Sequence, residues 1–308
     1  MIAGLERWSI GVLGSESENH YSDTPTLQYS NQLSPSLGYA SIRFLTANEK
    51  LWLCSPNRKQ NSRRSIMASS WQSGQIDGST MPLYLSVPES GSPVPGIVVV
   101  HGQSGLDNFI KDTTHMLALQ GYAAVAPNLY HRDGPDCKDD NAARKARVRD
   151  PAIIKDIEGA IGFLKNHPRV NAGKIGIVGF CMGGRIVYLM SAASKNLAAA
   201  VMFYGSGTMV PFGEGPSPFD RTREVNCPIQ GHFGADDKNP SPEDMRKIDA
   251  ELIKWGKTHE FHTYPGAAHA FCNTGSANYR PHAAALSWPK AMDFFSRHLV
   301  DGAFDVVR

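Results

Sequence analysis

Short apolar runs alternate with helix-length segments along the chain from about residue 76 onward. Gly96-Ile97-Val98-Val99-Val100 is apolar at consecutive positions, the pattern of a strand buried on both faces. Similar runs predict strands at Leu83–Val87, ended by Pro88, and at Tyr122–Ala126, Ile175–Val178, Ala199–Tyr204, Pro228–Phe233 and Glu260–Tyr264. Between them the period changes. Ile153, Ile157, Ile161 and Leu164 recur at helical spacing, so an amphipathic helix is predicted from Pro151 to about His167, with Pro151 in its first turn. Further helices are predicted at Asn108–Leu119, stopped by Gly121, after Cys181, at Pro242–Trp255, and at His282–His298 with an offset at Pro289. Continuous apolar strands alternating with helices predict an α/β fold: a mostly parallel sheet covered on both faces, in a single domain. Sites on such sheets lie at the carboxyl ends of the strands.

Residues 1–70 show no sustained period and are rich in Ser and Asn. They read as a disordered N-terminal extension preceding a domain at 71–308. The basic run Ser55–Arg64 reads as a solvated linker, and Met67 is a candidate for the true start. The formal net charge of +2 speaks against nucleic acid or an anionic membrane as partner, and no apolar run reaches the length of a membrane span. The five cysteines are odd in number and form no C-x-x-C pair, which suggests neither a disulfide framework nor a zinc site. Met1–Leu13 lacks the layout of a secretory signal. The expectation is a cytoplasmic protein, a monomer or weak homodimer, acting on a small molecule.

The chemistry concentrates in Gly179-Phe180-Cys181-Met182-Gly183-Gly184, between a predicted strand and a predicted helix. A strand, a sharp turn and a helix around one glycine-flanked residue is the context of a nucleophile elbow, here with cysteine in place of serine. A thiol at a helix N-terminus sits in a positive field that favours the thiolate. Glycine-rich turns also bind dinucleotides, but no acidic residue closes a following strand at the distance that fingerprint needs.

A nucleophilic cysteine needs a base, and the base an orienting acid. Gly234-Ala235-Asp236-Asp237 follows one predicted strand, and Pro265-Gly266-Ala267-Ala268-His269 follows the next, in the order nucleophile, acid, histidine. The roles expected are Cys181 as nucleophile, His269 as base and Asp237 as orienting acid, with Asp236 the alternative. The backbone N–H groups of Met182 and Gln103 are the expected oxyanion donors. His101 is read as support for the oxyanion loop, Cys227 as core, and Cys272 as either pocket lining or packing. The loops Arg132–Arg149 and Gly205–Arg223 are expected to set the pocket.

Taken together, these residues resemble the dienelactone hydrolase family, the carboxymethylenebutenolidases, from about Ile76-Asp77-Gly78 to Leu299. The likeness includes Pro95–His101, Gly105-Leu106, Gly121-Tyr122, Ala126–Tyr130, the G-x-C-x-G-G elbow, Phe203-Tyr204-Gly205 and Tyr264–Phe271. It implies an α/β-hydrolase fold, a Cys-Asp-His triad, no metal or organic cofactor, and an ester or lactone substrate. Two positions depart from the family. Gly102 stands where members carry a glutamate that helps deprotonate the cysteine, so activation falls to His269 and the helix N-terminus. That loss also supports the runner-up reading, a non-catalytic binding protein on the same fold. Of the two arginines that hold the dienelactone carboxylate, Arg132 matches the first and Asn273 stands in place of the second. Weaker selection for a carboxylate-bearing lactone is therefore expected, with Arg132, Tyr204 and Asn273 contacting substrate.

Overall fold

The computed structural model describes residues 67–134 and 136–300. The disorder expected of the N-terminal extension, and Cys54 within it, lie outside the described residues. Eight strands form one sheet in the order β1-β2-β4-β3-β5-β6-β7-β8. They are β1 (Met67–Ile76), β2 (Ser79–Pro88), β3 (Val94–Val100), β4 (Ala123–Pro127), β5 (Val170–Phe180), β6 (Ala199–Phe203), β7 (Ile229–Gly234) and β8 (His259–Tyr264). The pairs β1–β2 and β2–β4 are antiparallel and all others parallel.

The period-2 geometry of β3 explains why its run is apolar throughout. Val98 and Val100 enter a core built with α3 (Asp150–Lys165), α4 (Met182–Ala193) and α5 (Pro242–Lys254). Ile97 and Val99 enter the opposite core, built with α1 (Asn108–Leu119) and α6 (Pro281–Leu299). All four side chains are fully buried. This is the doubly covered sheet of an α/β-hydrolase domain. Among the described residues no helix is long and apolar enough to cross a membrane.

β1 begins at Met67, so the sheet starts a few residues before the boundary expected near 70. β1 forms a hairpin with β2 across Asp77-Gly78, both at positive φ (50° and 76°), the turn that matches strand twist. The strand is a largely exposed edge rich in Ser and Gln, with Trp71 itself exposed, so it carries no apolar alternation for sequence to register. A short helix, α2 (Asn141–Arg147), was not anticipated either; it buries no residue, so no hydrophobic stripe announces it.

One buried ion pair steadies the ground beneath the elbow. Arg185 in α4 is fully buried and donates to both carboxylate oxygens of Asp150, at 2.6 and 2.8 Å. Arg185 also donates to the carbonyls of Gly207 and Val210, and Asp150 accepts from the Phe212 N–H. The pair thereby ties α3, α4 and the segment after β6 together. Stranding one such charge by removing its partner costs about 3–5 kcal/mol.

Candidate active site

Cys181 ends β5 and begins α4 with φ 58° and ψ −121°, a conformation that L-residues rarely adopt. Such strain costs on the order of 1–3 kcal/mol and persists only where surroundings enforce it. Here they do: a Cβ on Gly183 would overlap the Val100 carbonyl, and one on Gly184 would lie 2.6 Å from the Phe203 carbonyl oxygen. The two glycines let α4 press against the ends of β3 and β6, which holds the thiol up at the sheet's carboxyl edge.

Asp237 follows β7 and is buried. Its Oδ1 accepts from the Asn239 N–H at 2.9 Å, which leaves Oδ2 to hold His269 Nδ1 at 3.0 Å. Asp236, the alternative acid, is exposed. His269 sits in the β8–α6 loop beside Ala270, whose φ is 64°, and the Tyr204 ring packs edge-on against the imidazole at 5.2 Å between centroids. The imidazole and the Cys181 thiol line the same cleft and act on each other's ionisation. Asp237, His269 and Cys181 therefore stand in one line drawn from three loops, hydrogen-bonded at the Asp237–His269 step.

The charges follow from this geometry. Burial opposes ionisation of the Cys181 thiol, but the hydrogen bond and charge of His269, the Ser206 hydroxyl and the Met182 N–H outweigh it and bring the pKa down to about 7. Burial likewise opposes an imidazolium at His269, yet Asp237 and the cysteine carry its pKa up to about 10. Both shifts favour a thiolate beside an imidazolium.

The loop after β3 is held from two sides. His101 is fully buried, its Nδ1 donates to the Gly102 carbonyl at 2.6 Å, and its Nε2 accepts from the Leu129 N–H at 3.1 Å. Burial pushes its pKa down to about 4, so it stays neutral in this supporting role. The Tyr130 hydroxyl donates to the Gln103 carbonyl at 2.8 Å. Gln103 lines the cleft, and the Met182 N–H favours the thiolate. Gly102 packs directly on the nucleophile: a Cβ there would stand 3.9 Å from Cys181 Sγ.

The cleft over Cys181 is lined by Gln103, Asp107, Phe109, Tyr204, His269 and Asn273 among others. The lining differs from expectation at two points. Arg132 does not line the cleft; its guanidinium is bound to Asp156 at 2.7 and 2.8 Å and reaches Asp77 at 3.5 Å. The walls come from the β3–α1 and β8–α6 loops, the elbow and Tyr204 after β6; none of the described residues of 132–149 is among them, and from 205–223 Ser206 alone approaches the sulfur. Cys272 takes the packing alternative: it is buried with its sulfur 3.3 Å from the Ser287 hydroxyl, and burial pushes its thiol pKa up.

Sequence reasoning missed two residues, Asp107 in the cleft and Ser206. The Ser206 Oγ lies 3.7 Å from Cys181 Sγ, and its hydrogen bond favours the thiolate. Ser206→Ala is expected to move the ionisation of Cys181 upward by about 0.5–1 pH unit. The measurement is the pH dependence of iodoacetamide labelling, followed on the Cys181 peptide by mass spectrometry. An unmoved midpoint would remove Ser206 from the activating set.

The dienelactone hydrolase family profile matches residues 81–299. Carboxymethylenebutenolidase from Pseudomonas putida is 32% identical over 230 residues, covering 71% of this chain and 92% of that protein. A Klebsiella pneumoniae protein, whose crystal structure was solved as that of a candidate dienelactone hydrolase, superposes with a TM-score of 0.70 at 29% identity, covering 75% of this chain and 99% of its own. A dienelactone hydrolase-like promiscuous phosphotriesterase from metagenomic libraries shares the fold, with a TM-score of 0.66 at 21% identity over 75% of this chain and 98% of that one. With the profile running from β2 to the end of α6, and that identity sustained over nearly the whole of a relative, the chain belongs to the dienelactone hydrolase family.

Proposed function

We propose that this protein hydrolyses small esters or lactones through a thioester on Cys181, with His269 as general acid and base and Asp237 as orienting acid. The observation that carries the reading is the line Asp237–His269–Cys181, with a buried carboxylate 3.0 Å from the imidazole and the thiol at a strained elbow. The thiolate attacks the acyl carbon, and the carbonyl π electrons move to oxygen, where the N–H groups of Met182 and Gln103 stabilise the oxyanion. Collapse breaks the C–O bond, and His269 gives its proton to the departing alkoxide. The neutral imidazole then takes a proton from water, hydroxide adds to the thioester, and the acid leaves as the thiolate re-forms. A lactone differs only in that alkoxide and acyl carbon stay in one molecule. The naming of the Pseudomonas relative as a carboxymethylenebutenolidase supports lactones as one substrate class.

A nitrophenol burst of one equivalent from p-nitrophenyl acetate, with one acetyl group on Cys181 by intact and peptide mass after a rapid quench, is the expected result. Gly102, in place of the family's glutamate, favours the second reading of a binding protein without turnover. Absence of both burst and adduct would select it.

A further inference from the structure

The catalytic cleft is lined by a carboxylate and, apart from the catalytic His269, by no basic side chain. Asp107, Gln103, Ser104 and Asn273 form its polar wall, while Phe109 and Phe180 supply an apolar one, their rings meeting edge-on at 4.8 Å. Among the described residues lining the cleft, none is Lys or Arg, and Asp107 is the only acidic one. The arginine expected to hold an anionic substrate, Arg132, is spent on Asp156 and Asp77.

Asp107 is fixed in place. It caps α1, with Oδ1 accepting from the Ile110 N–H at 3.0 Å, and it is half-buried at the cleft wall. The helix N-terminus offsets roughly half a charge, and Lys111 and Asp112 on α1 act on the carboxylate with opposite signs. The Cys181 thiolate and His269 imidazolium cancel each other, so the balance of the cleft before acylation is negative. A negative, partly desolvated wall repels an anionic acyl chain and attracts a cationic one.

We infer that this cleft selects uncharged and cationic acyl groups over anionic ones, with Asp107 as the specificity-determining residue. The inference rests on the hydrolase reading. It sets this chain apart from an enzyme built around a carboxylate-bearing lactone.

The test compares p-nitrophenyl esters of adipic acid (an anionic acyl chain), hexanoic acid (neutral) and trimethylammonio-pentanoic acid (cationic), at low ionic strength. In the wild type, kcat/KM for the adipate ester is expected about tenfold below that for hexanoate, and the cationic ester at or above hexanoate. Asp107→Asn keeps a side-chain acceptor at the helix cap. It is expected to raise the adipate-to-hexanoate ratio about tenfold and to lower the cationic-to-neutral ratio. Equal turnover of the adipate and hexanoate esters in the wild type, or ratios unchanged in Asp107→Asn, would overturn the inference. A second readout needs no turnover: the rate of Cys181 alkylation by iodoacetate relative to iodoacetamide should rise in Asp107→Asn. If all three esters are inert and leave no acyl adduct, the hydrolase reading fails. The alkylation ratio then decides the charge preference alone, and a ratio unmoved by Asp107→Asn sinks it.

Discussion

Cys181→Ala is expected to lower kcat/KM for p-nitrophenyl acetate by about 10³-fold or more, with the burst and the acetyl adduct both lost. The argument starts from the ionisation of the thiol. With its pKa brought down to about 7, roughly half of Cys181 is thiolate at pH 7, against about 1% for an ordinary thiol at 9.0. The variant keeps the oxyanion donors and His269, so a residual rate from general-base attack of water remains. Cys181→Ser separates nucleophile chemistry from steric space. A hydroxyl cannot form the resting ion pair, so a loss of about 10²-fold or more is expected even though the oxygen fits the site. Equal rates in wild type and both variants, with the fold intact by circular dichroism, would remove Cys181 from the reaction. The missing glutamate at Gly102 sharpens this test. Three groups other than a carboxylate at that position already favour the thiolate, namely His269, Ser206 and the Met182 N–H. If they suffice, the acylation rate should be substantial at neutral pH.

The sheet was legible because its strands are buried on both faces, and burial writes itself into sequence as unbroken apolar runs. β3 is the plain case: alternate residues face two different cores, so every position is apolar. β1 was not legible, because an exposed edge strand is held by its partner's backbone and by the Asp77-Gly78 turn, and needs no apolar face. The elbow was legible for a steric reason. Gly183 and Gly184 sit where any Cβ meets a strand carbonyl, so the requirement is local and shows in six consecutive residues. Asp237 and His269 could be read because each closes a strand, and strand ends converge on one edge of the sheet. Arg132 was misread for the opposite reason. A resemblance transfers a position but not the partners around it, and here Asp156 from α3 and Asp77 from the hairpin turn claim the guanidinium. Ser206 and Asp107 carried no local signal. Ser206 reaches the sulfur because Arg185 and Asp150 fix the adjoining segment, a tertiary contact between residues 35 apart in the chain.

Asp237→Asn is expected to lower kcat/KM by about 10²-fold or more and to narrow the pH profile from both sides. In the wild type, acylation should rise as the thiol ionises through about pH 7 and fall as the imidazolium loses its proton through about pH 10. The charge and hydrogen bond of Asp237 help to hold the His269 pKa up. Removing the charge lets the imidazolium deprotonate earlier, so the alkaline limb moves down. A weaker imidazolium also favours the thiolate less, so the acid limb moves up. The amide can, in addition, present N–H toward His269 Nδ1 and reverse the tautomer, which turns the proton away from where the leaving group needs it. Asp236→Asn is the matched control. Its side chain is exposed and its backbone N–H alone is engaged, with the Ala267 carbonyl at 2.9 Å, so activity should stay within about twofold. A profile unmoved in Asp237→Asn but altered in Asp236→Asn would exchange the roles of the two carboxylates. Unaltered profiles in both would mean that His269 acts without an acid, and the line Asp237–His269–Cys181 would then be packing rather than chemistry.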